Sequence, residues 1–571
     1  MTYQAIYEQW NNFNDLDDNL KEELKGLSEE QIEDAFYTNL AFGTAGQRGL
    51  IGVGTNRMNT YTVALTTEGL AKLMDSKGED KKRGVAIAYD SRHFSREFAF
   101  VAARVLAQHD IPSYVFESLR PTPELSFAVR DLKAMHGIMI TASHNPAPYN
   151  GYKVYGEDGG QMAPHDADAL SEYIKEVDDI FSITPAPAKE YMEQGLIKII
   201  GEDIDKKYLE NMKTVTINQK LINDFGRDLN IVFTPLHGTG EMLGRRALAQ
   251  AGFENISVVE EQAIPDGDFP TVKSPNPESQ KAFALSEVLG HEVGAEMLVA
   301  TDPDADRIGV EVLQPDGSYQ PLTGNQIGAI LTKYILEAHK SAGSLPDNAI
   351  ILKSIVSTDL ASKIAKSYNT DVDNVLTGFK FIAEKIQEFE NTKSHTYMFG
   401  FEESFGYLIK PFVRDKDAIQ ALVLICEVAA YYKSLGKTLY DGIQDIYKEY
   451  GYYMEKTISL TLEGINGGEQ IKEIMGKFRD NAPKEFNQTK VILTEDFKTQ
   501  TSIDENGKET KLSTPSSDVL KYHLADGSWI AVRPSGTEPK IKFYVAVVAD
   551  SQDEATRKLA NIEEEISNFI K

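Results

Sequence analysis

Cysteine is nearly absent from this chain of 571 residues: the single one, Cys426, can form no intramolecular disulfide. It lies within AIQALVLICEVAAYY, an apolar helical run that points to a core position rather than a reactive thiol. A reducing cytoplasm is the compartment this usage suggests. Long apolar runs are lacking too. The stretch around Cys426 is the most apolar, yet Glu427 interrupts it and it falls short of membrane-span length. The opening residues, MTYQAIYEQWNNFNDLDDNLKEELKG, hold no basic segment followed by an apolar one, so no secretory signal is expected. Positive charge is in deficit: 59 basic against 87 acidic side chains give −28, which argues against a nucleic-acid or anionic-membrane surface. Glycine and proline, at 42 and 22, are not frequent enough to signal disorder.

What the chain does have is bulk. With 41% hydrophobic residues over this length, one core is not enough, and three or four domains are expected. Residues 4–39 carry apolar positions at helical spacing, and Ser28-Glu29-Glu30-Gln31 reads as a capping box. A βα alternation follows: strands at 85–89, 113–116 and 138–140, helices at 94–108 and 124–132. That order argues for a mostly parallel sheet with right-handed crossovers. The segment 183–229 is mixed and leads into a second unit, with strands at 230–233 and 297–300 and a helix to Ala251. The Gly-rich turn around His237 between them reads as a tight βα connection, and His237 as structural. A third unit begins near Thr323 with a helix to about Lys340 and strands at 349–353 and 396–399. After about Tyr440 the pattern changes to short strands, a hairpin at DENGKET and a final helix at 553–570, the mark of an α+β domain with an antiparallel sheet. The expected domains are 1–215, 216–322, 323–440 and 441–571, three α/β and one α+β.

Each unit sends one strand into one polar, Pro- or Gly-marked loop. In GIMITASHNPAPYNG the apolar strand ends in Thr141-Ala142-Ser143-His144-Asn145-Pro146, and the prolines bar helix beyond it. Ser143 then stands at a strand's carboxyl end, where α/β sheets hold ligands. FGTAGQRG, residues 42–49, reads as a loop whose backbone can approach an anion, with Arg48 its only charge. In Thr301-Asp302-Pro303-Asp304-Ala305-Asp306-Arg307 three carboxylates alternate along an extended segment. They repel one another unless a cation lies among them, and hard oxygen ligands favour magnesium. A calcium loop of the EF-hand type wants Gly where Arg307 stands and Glu where Leu313 stands, so the spacing argues against it. Arg533, Ser535, Gly536, Thr537 and Lys540 put two cations, two hydroxyls and exposed backbone N–H groups within eight residues, an anion site by composition. Read from the residues alone, GFEESFG is a turn, and Lys416 in Arg414-Asp415-Lys416-Asp417 is a salt-bridged lysine.

TASHNP with NGYK after it, FGTAGQRG, DPDADR, GFEESFG and RPSGTEPK occur in this order from Phe42 to Tyr544, and together they resemble the α-D-phosphohexomutase family of phosphoglucomutases and phosphomannomutases. The resemblance implies four domains around a central cleft. It implies that Ser143, phosphorylated, is the phosphoryl donor and that its phosphate oxygen joins Asp302, Asp304 and Asp306 on Mg2+. Arg48 and Lys153 would supply positive charge, and Lys416 is the implied base or acid with His144 as the alternative. Glu402 and Ser404 would grip O3 and O4 of a hexose, assisted by Thr377, Gly378, Arg307 and Arg414. The Arg533 to Lys540 loop would hold the phosphate that does not react. The implied activity is interconversion of glucose 1-phosphate and glucose 6-phosphate through glucose 1,6-bisphosphate. TGFKF and GFEESFG look closer to the phosphoglucomutase branch, whereas NGYK is shared with mannose- and pentose-acting relatives, so glucose, mannose and pentose phosphates all stay open. Other readings are a catalytically silent sugar-phosphate sensor and a hydrolase. The expected partners are sugar phosphates alone, with no nucleic acid or membrane, and the expected state is a monomer or weak dimer.

Overall fold

The computed structural model describes residues 2–43, 46–462, 467–535 and 540–570. The chain forms two compact units: one runs to Thr323 and adds Ile382–Ser394 and Ser404–Gly436, and the other holds Gly324–Phe381, His395–Glu403 and the residues from Lys437 onward.

In the first unit the order of the six-stranded sheet is Gln47–Leu50, Tyr149–Tyr155, His136–Ile140, Val85–Tyr89, Ser113–Phe116, Ile197–Ile200. The last four are parallel, and Tyr149–Tyr155 runs antiparallel to both of its neighbours, His136–Ile140 and the edge strand Gln47–Leu50. Val85–Tyr89 reads VAIAY and is buried throughout, as a parallel strand covered on both faces must be. A second sheet places Met297–Thr301, Ile231–Thr234 and Ile256–Val258 in parallel, with Ile308–Leu313 antiparallel beside Met297–Thr301. The helix Ala418–Ser434 is capped by Asp417, whose Oδ1 accepts from the N–H groups of Ile419 and Gln420. Cys426 is fully buried in it, as expected. No single helix among the described residues is long and apolar enough to cross a membrane.

The N-terminal helices Tyr3–Asn11, Asp18–Gly26 and Glu29–Phe36 dock on the first sheet's helices through an aromatic cluster. Ser28 and Gln31 do form the capping box. Trp10, fully buried, meets Phe36, Tyr61 and Phe181 edge-on at centroid distances of 5.8, 5.4 and 5.3 Å. Trp10→Ala is expected to cost about 3–5 kcal/mol, the range for emptying a large aromatic site. Urea denaturation checks this, and a cost below about 1 kcal/mol would show the extension to be an appendage.

In the second unit, Asp371–Val375, Ala349–Ser354 and Thr396–Glu402 are parallel strands. The C-terminal part is an antiparallel sheet in the order Tyr452–Thr461, Lys540–Ala549, Trp529–Pro534, Leu520–Leu524, Thr489–Asp496, Thr501–Asp504, Glu509–Lys511. The helix Gln552–Ile570 packs against it. Three α/β domains and a strand-rich C-terminal domain are therefore present, as the element order required.

Candidate active site

The strand His136–Ile140 delivers Ser143 into a loop with left-handed backbone, φ +52°. Few L residues hold that conformation without support. The Ser143 N–H donates to Thr141 Oγ1 at 2.8 Å. More support comes from Arg92, a residue the sequence reading passed over. Its guanidinium donates to the carbonyls of Ser143 at 2.7 Å, Pro146 at 2.9 Å and Tyr149 at 3.0 Å, and also to that of Asn145. Asp90 pairs with it at 3.3 Å, and the ring of Phe269 lies 4.9 Å beneath it. The available signal was Asp90-Ser91-Arg92 at the carboxyl end of Val85–Tyr89, the strand beside the one that bears Ser143.

Residues 42–49 are not all loop. Gln47–Leu50 is an edge strand paired with Tyr149–Tyr155, and Gly46, at φ +84°, precedes it because a Cβ there would strike the Tyr152 carbonyl. Glycine content hid the strand; the antiparallel partner makes it. Arg48 is exposed on this strand and donates to Asn145 Oδ1 at 3.2 Å.

The three aspartates also differ from expectation. Residues 302–307 form a turn rather than an extended run: Ala305, at φ +51°, donates to the Asp302 carbonyl, and Asp302 Oδ1 accepts from the N–H groups of Asp306 and Arg307 at 3.1 Å each. Folding back brings one oxygen of each carboxylate within 4.8 Å of the others. All three are buried. Ser143 Oγ donates to Asp302 Oδ2 at 2.7 Å and lies 3.2 Å from His144 Nδ1. Lys153 Nζ and Thr122 Oγ1 both reach Asp304 Oδ2, at 3.0 and 2.9 Å. Asp304 Oδ1 finds no hydrogen-bond partner among the described residues.

A buried carboxylate oxygen left without a donor, inside a set of hard oxygen ligands, fits a divalent cation. Without one, burial and the charges of Asp304 and Asp306 push Asp302 well above the usual carboxylate range. Burial would raise Asp304 as well, but Lys153, Asp302 and Thr122 hold it below that range. Burial and the nearby cations Arg307 and Arg48 keep the His144 imidazole well below its ordinary value, hence neutral at pH 7.

Lys416 is 3.0 Å from Asp306 Oδ2 and 3.2 Å from Asp415 Oδ1, and Asp415 is itself fixed by Tyr155 and Gln161 at 2.9 Å each. Gly406 leaves room for it, since a Cβ there would collide with the Lys416 side chain. Arg307 bonds Glu278 at 2.9 Å and the Ser404 carbonyl at 3.1 Å. Arg414 is not brought to this cluster. It is wholly buried, donating to the Pro411 and Val413 carbonyls and pairing with Glu390 at 2.5 Å. His237 is structural, with Ile264 O and Thr271 Oγ1 on its two ring nitrogens.

In the second unit Glu402 Oε1 accepts from the Gly378 N–H at 2.6 Å, beside Thr377. Arg533 is the penultimate residue of the strand Trp529–Pro534, and Ser535 N–H donates to the Lys540 carbonyl at 2.7 Å. Gly536 and Thr537 lie outside the described residues.

Moving a phosphoryl group asks a protein for positioned charge more than for covalent chemistry. A serine hydroxyl bonded into a carboxylate triad, with two lysines against the same carboxylates, answers that demand in the α/β part of this fold. The class is that of an intramolecular phosphotransferase. Models of the phosphoglucomutase/phosphomannomutase family match along the chain: alpha/beta/alpha domain I at residues 39–180, domain II at 206–314, domain III at 323–450 and the C-terminal domain at 482–565. A phosphoglucomutase of Staphylococcus epidermidis is 41% identical over 548 residues, covering 95% of this chain and 97% of that one. The Paramecium phosphoprotein parafusin, a phosphoglucomutase, shares the fold with a TM-score of 0.68 at 17% identity, covering 93% and 95% of the two chains. A family protein from Burkholderia thailandensis gives 0.65 at 18%, covering 92% and 97%. This chain belongs to the phosphoglucomutase/phosphomannomutase family and is a phosphohexomutase.

Proposed function

We propose that the enzyme interconverts glucose 1-phosphate and glucose 6-phosphate, with Ser143 as the residue that gives and takes the phosphoryl group. The observation that supports this most is the Ser143 hydroxyl, 2.7 Å from Asp302 inside the buried triad. Phosphorylated Ser143 faces the free hydroxyl of a hexose monophosphate. The bond from Oγ to phosphorus breaks as the bond from the sugar oxygen forms, and the hydroxyl proton passes to a base. Glucose 1,6-bisphosphate results, turns over, and returns its other phosphoryl group to Ser143. Asp302, Asp304 and Asp306 would hold Mg2+, which when bound offsets the charge on the group in transfer. Lys153, on the same carboxylate as Thr122, adds positive charge from the protein side.

Glu402 and Ser404 take the sugar hydroxyls, aided by Thr377, Gly378 and Arg307, and Arg533, Ser535, Gly536, Thr537 and Lys540 take the phosphate that stays. Contacts to hydroxyls and to the phosphate that does not react supply orientation rather than chemistry. The enzyme works in the cytoplasm as a monomer or weak dimer in this reading.

Lys416 is the proton carrier, poised between Asp306 and Asp415. Lys416→Met is expected to lower kcat ~10²–10⁴-fold with little change in KM, the scale of a lost acid–base group. His144 is the second candidate on distance, and a larger loss in His144→Gln than in Lys416→Met would transfer the role. For the activity itself, turnover of glucose 1-phosphate, mannose 1-phosphate and ribose 1-phosphate is compared with Mg2+, with and without a trace of glucose 1,6-bisphosphate. Bisphosphate-stimulated turnover fastest on glucose 1-phosphate is expected. Faster turnover of another sugar would reassign the substrate, and silence on all three would favour a sensor.

A further inference from the structure

Asp304 has two oxygens in opposite situations. Oδ2 is held by two donors, Lys153 Nζ at 3.0 Å and Thr122 Oγ1 at 2.9 Å, whereas buried Oδ1 has no hydrogen-bond partner among the described residues. Thr122 also grips the same residue from the main chain: its N–H donates to the Asp304 carbonyl at 2.9 Å. One residue thus fixes both the backbone position and the side-chain rotation of Asp304.

Thr122 is itself rigidly placed. It opens the helix Thr122–Leu132, it is fully buried, and prolines stand on both sides of it, with Pro121 at φ −61°. Proline locks its own φ and restricts the residue before it. The preceding Arg120 is anchored twice, its N–H to the Tyr89 carbonyl at 3.1 Å and its guanidinium to both oxygens of Asp205 at 2.8 and 2.9 Å. A paired, bidentate guanidinium inside the protein is a stiff support.

We propose that Thr122 is a positioning residue for the metal site: its hydroxyl occupies Asp304 Oδ2 so that Oδ1 is presented to the cation. The proposal rests on the reading of the aspartates as a metal site. Groups that orient metal ligands typically govern affinity 10–100-fold.

The test is Mn2+ binding by electron paramagnetic resonance, together with the Mg2+ dependence of turnover. Thr122→Val, which keeps the shape and loses the donor, is expected to weaken Mn2+ binding about 10–100-fold. It should raise the Mg2+ concentration for half-maximal rate while the KM for sugar phosphate stays put, and Thr122→Ser should bind as the unsubstituted protein does. Should Thr122→Val fail to fold, Thr122→Ser and Thr122→Ala replace that comparison, because both lack the methyl and differ only in the hydroxyl. Equal Mn2+ affinity in the donor-less variants and the unsubstituted protein would overturn the proposal, as would Thr122→Ser binding as weakly as Thr122→Val or Thr122→Ala. If the unsubstituted protein binds no Mn2+, or binds it no better than Asp302→Asn, the metal reading itself fails instead.

Discussion

Ser143→Ala is expected to abolish mutase turnover, with kcat down by at least ~10⁴-fold, as deletion of a covalent nucleophile does. The loss should be chemical rather than structural. The Ser143 side chain donates one hydrogen bond, to Asp302, while the loop is held by Arg92 through backbone carbonyls and by Thr141 through the Ser143 N–H. The bonds to Arg92 and Thr141 do not need the hydroxyl. Alanine also tolerates the +52° backbone no worse than serine, so thermal unfolding should shift by no more than the equivalent of about 1–3 kcal/mol, the cost of leaving Asp302 Oδ2 without its donor. Glucose 1,6-bisphosphate should not rescue the variant. Turnover that survived at a tenth of the original rate would contradict the serine's role.

Asp304→Asn removes one charge from the triad at the oxygen pair that Lys153 and Thr122 organise. It is expected to lower kcat at least ~10²-fold, the scale of losing one group that stabilises charge in the transition state, and to shift the Mg2+ requirement upward. An amide in place of the carboxylate also leaves Lys153 facing no charge on Asp304. Titration with Mg2+ separates the two effects: a rate restored by high Mg2+ marks lost affinity, and a rate that stays low marks lost chemistry. Unchanged Mg2+ dependence would show that the aspartates do not serve the metal.

The chain wrote its strand ends plainly and its tertiary supports poorly. Val85–Tyr89 and Ser113–Phe116 were legible residue for residue, because buried parallel strands read as short apolar runs between turn residues. Ser143 and the aspartates were visible because they follow such runs. Tyr149–Tyr155 was not read as a strand; it carries polar and small residues and gains its identity from pairing with His136–Ile140 on one side and Gln47–Leu50 on the other. Lys153 therefore sits inside a strand and is buried there. Arg92 and Thr122 escaped notice for a related reason. Each acts on residues far along the chain, Arg92 on Ser143 and Thr122 on Asp304, and such contacts leave no local periodicity. The aspartate segment looked extended because proline bars helix, yet proline is equally at home in turns, and Asp302 accepting from two backbone N–H groups selects the turn.

The most direct test of the account is mass spectrometry of the protein after incubation with glucose 1,6-bisphosphate and Mg2+, then after addition of excess glucose 1-phosphate. A single phosphoryl group on the peptide bearing Ser143, lost as sugar bisphosphate appears, is the predicted result. An active enzyme that carries no phosphoryl group there, or carries it on another residue, would contradict the mechanism.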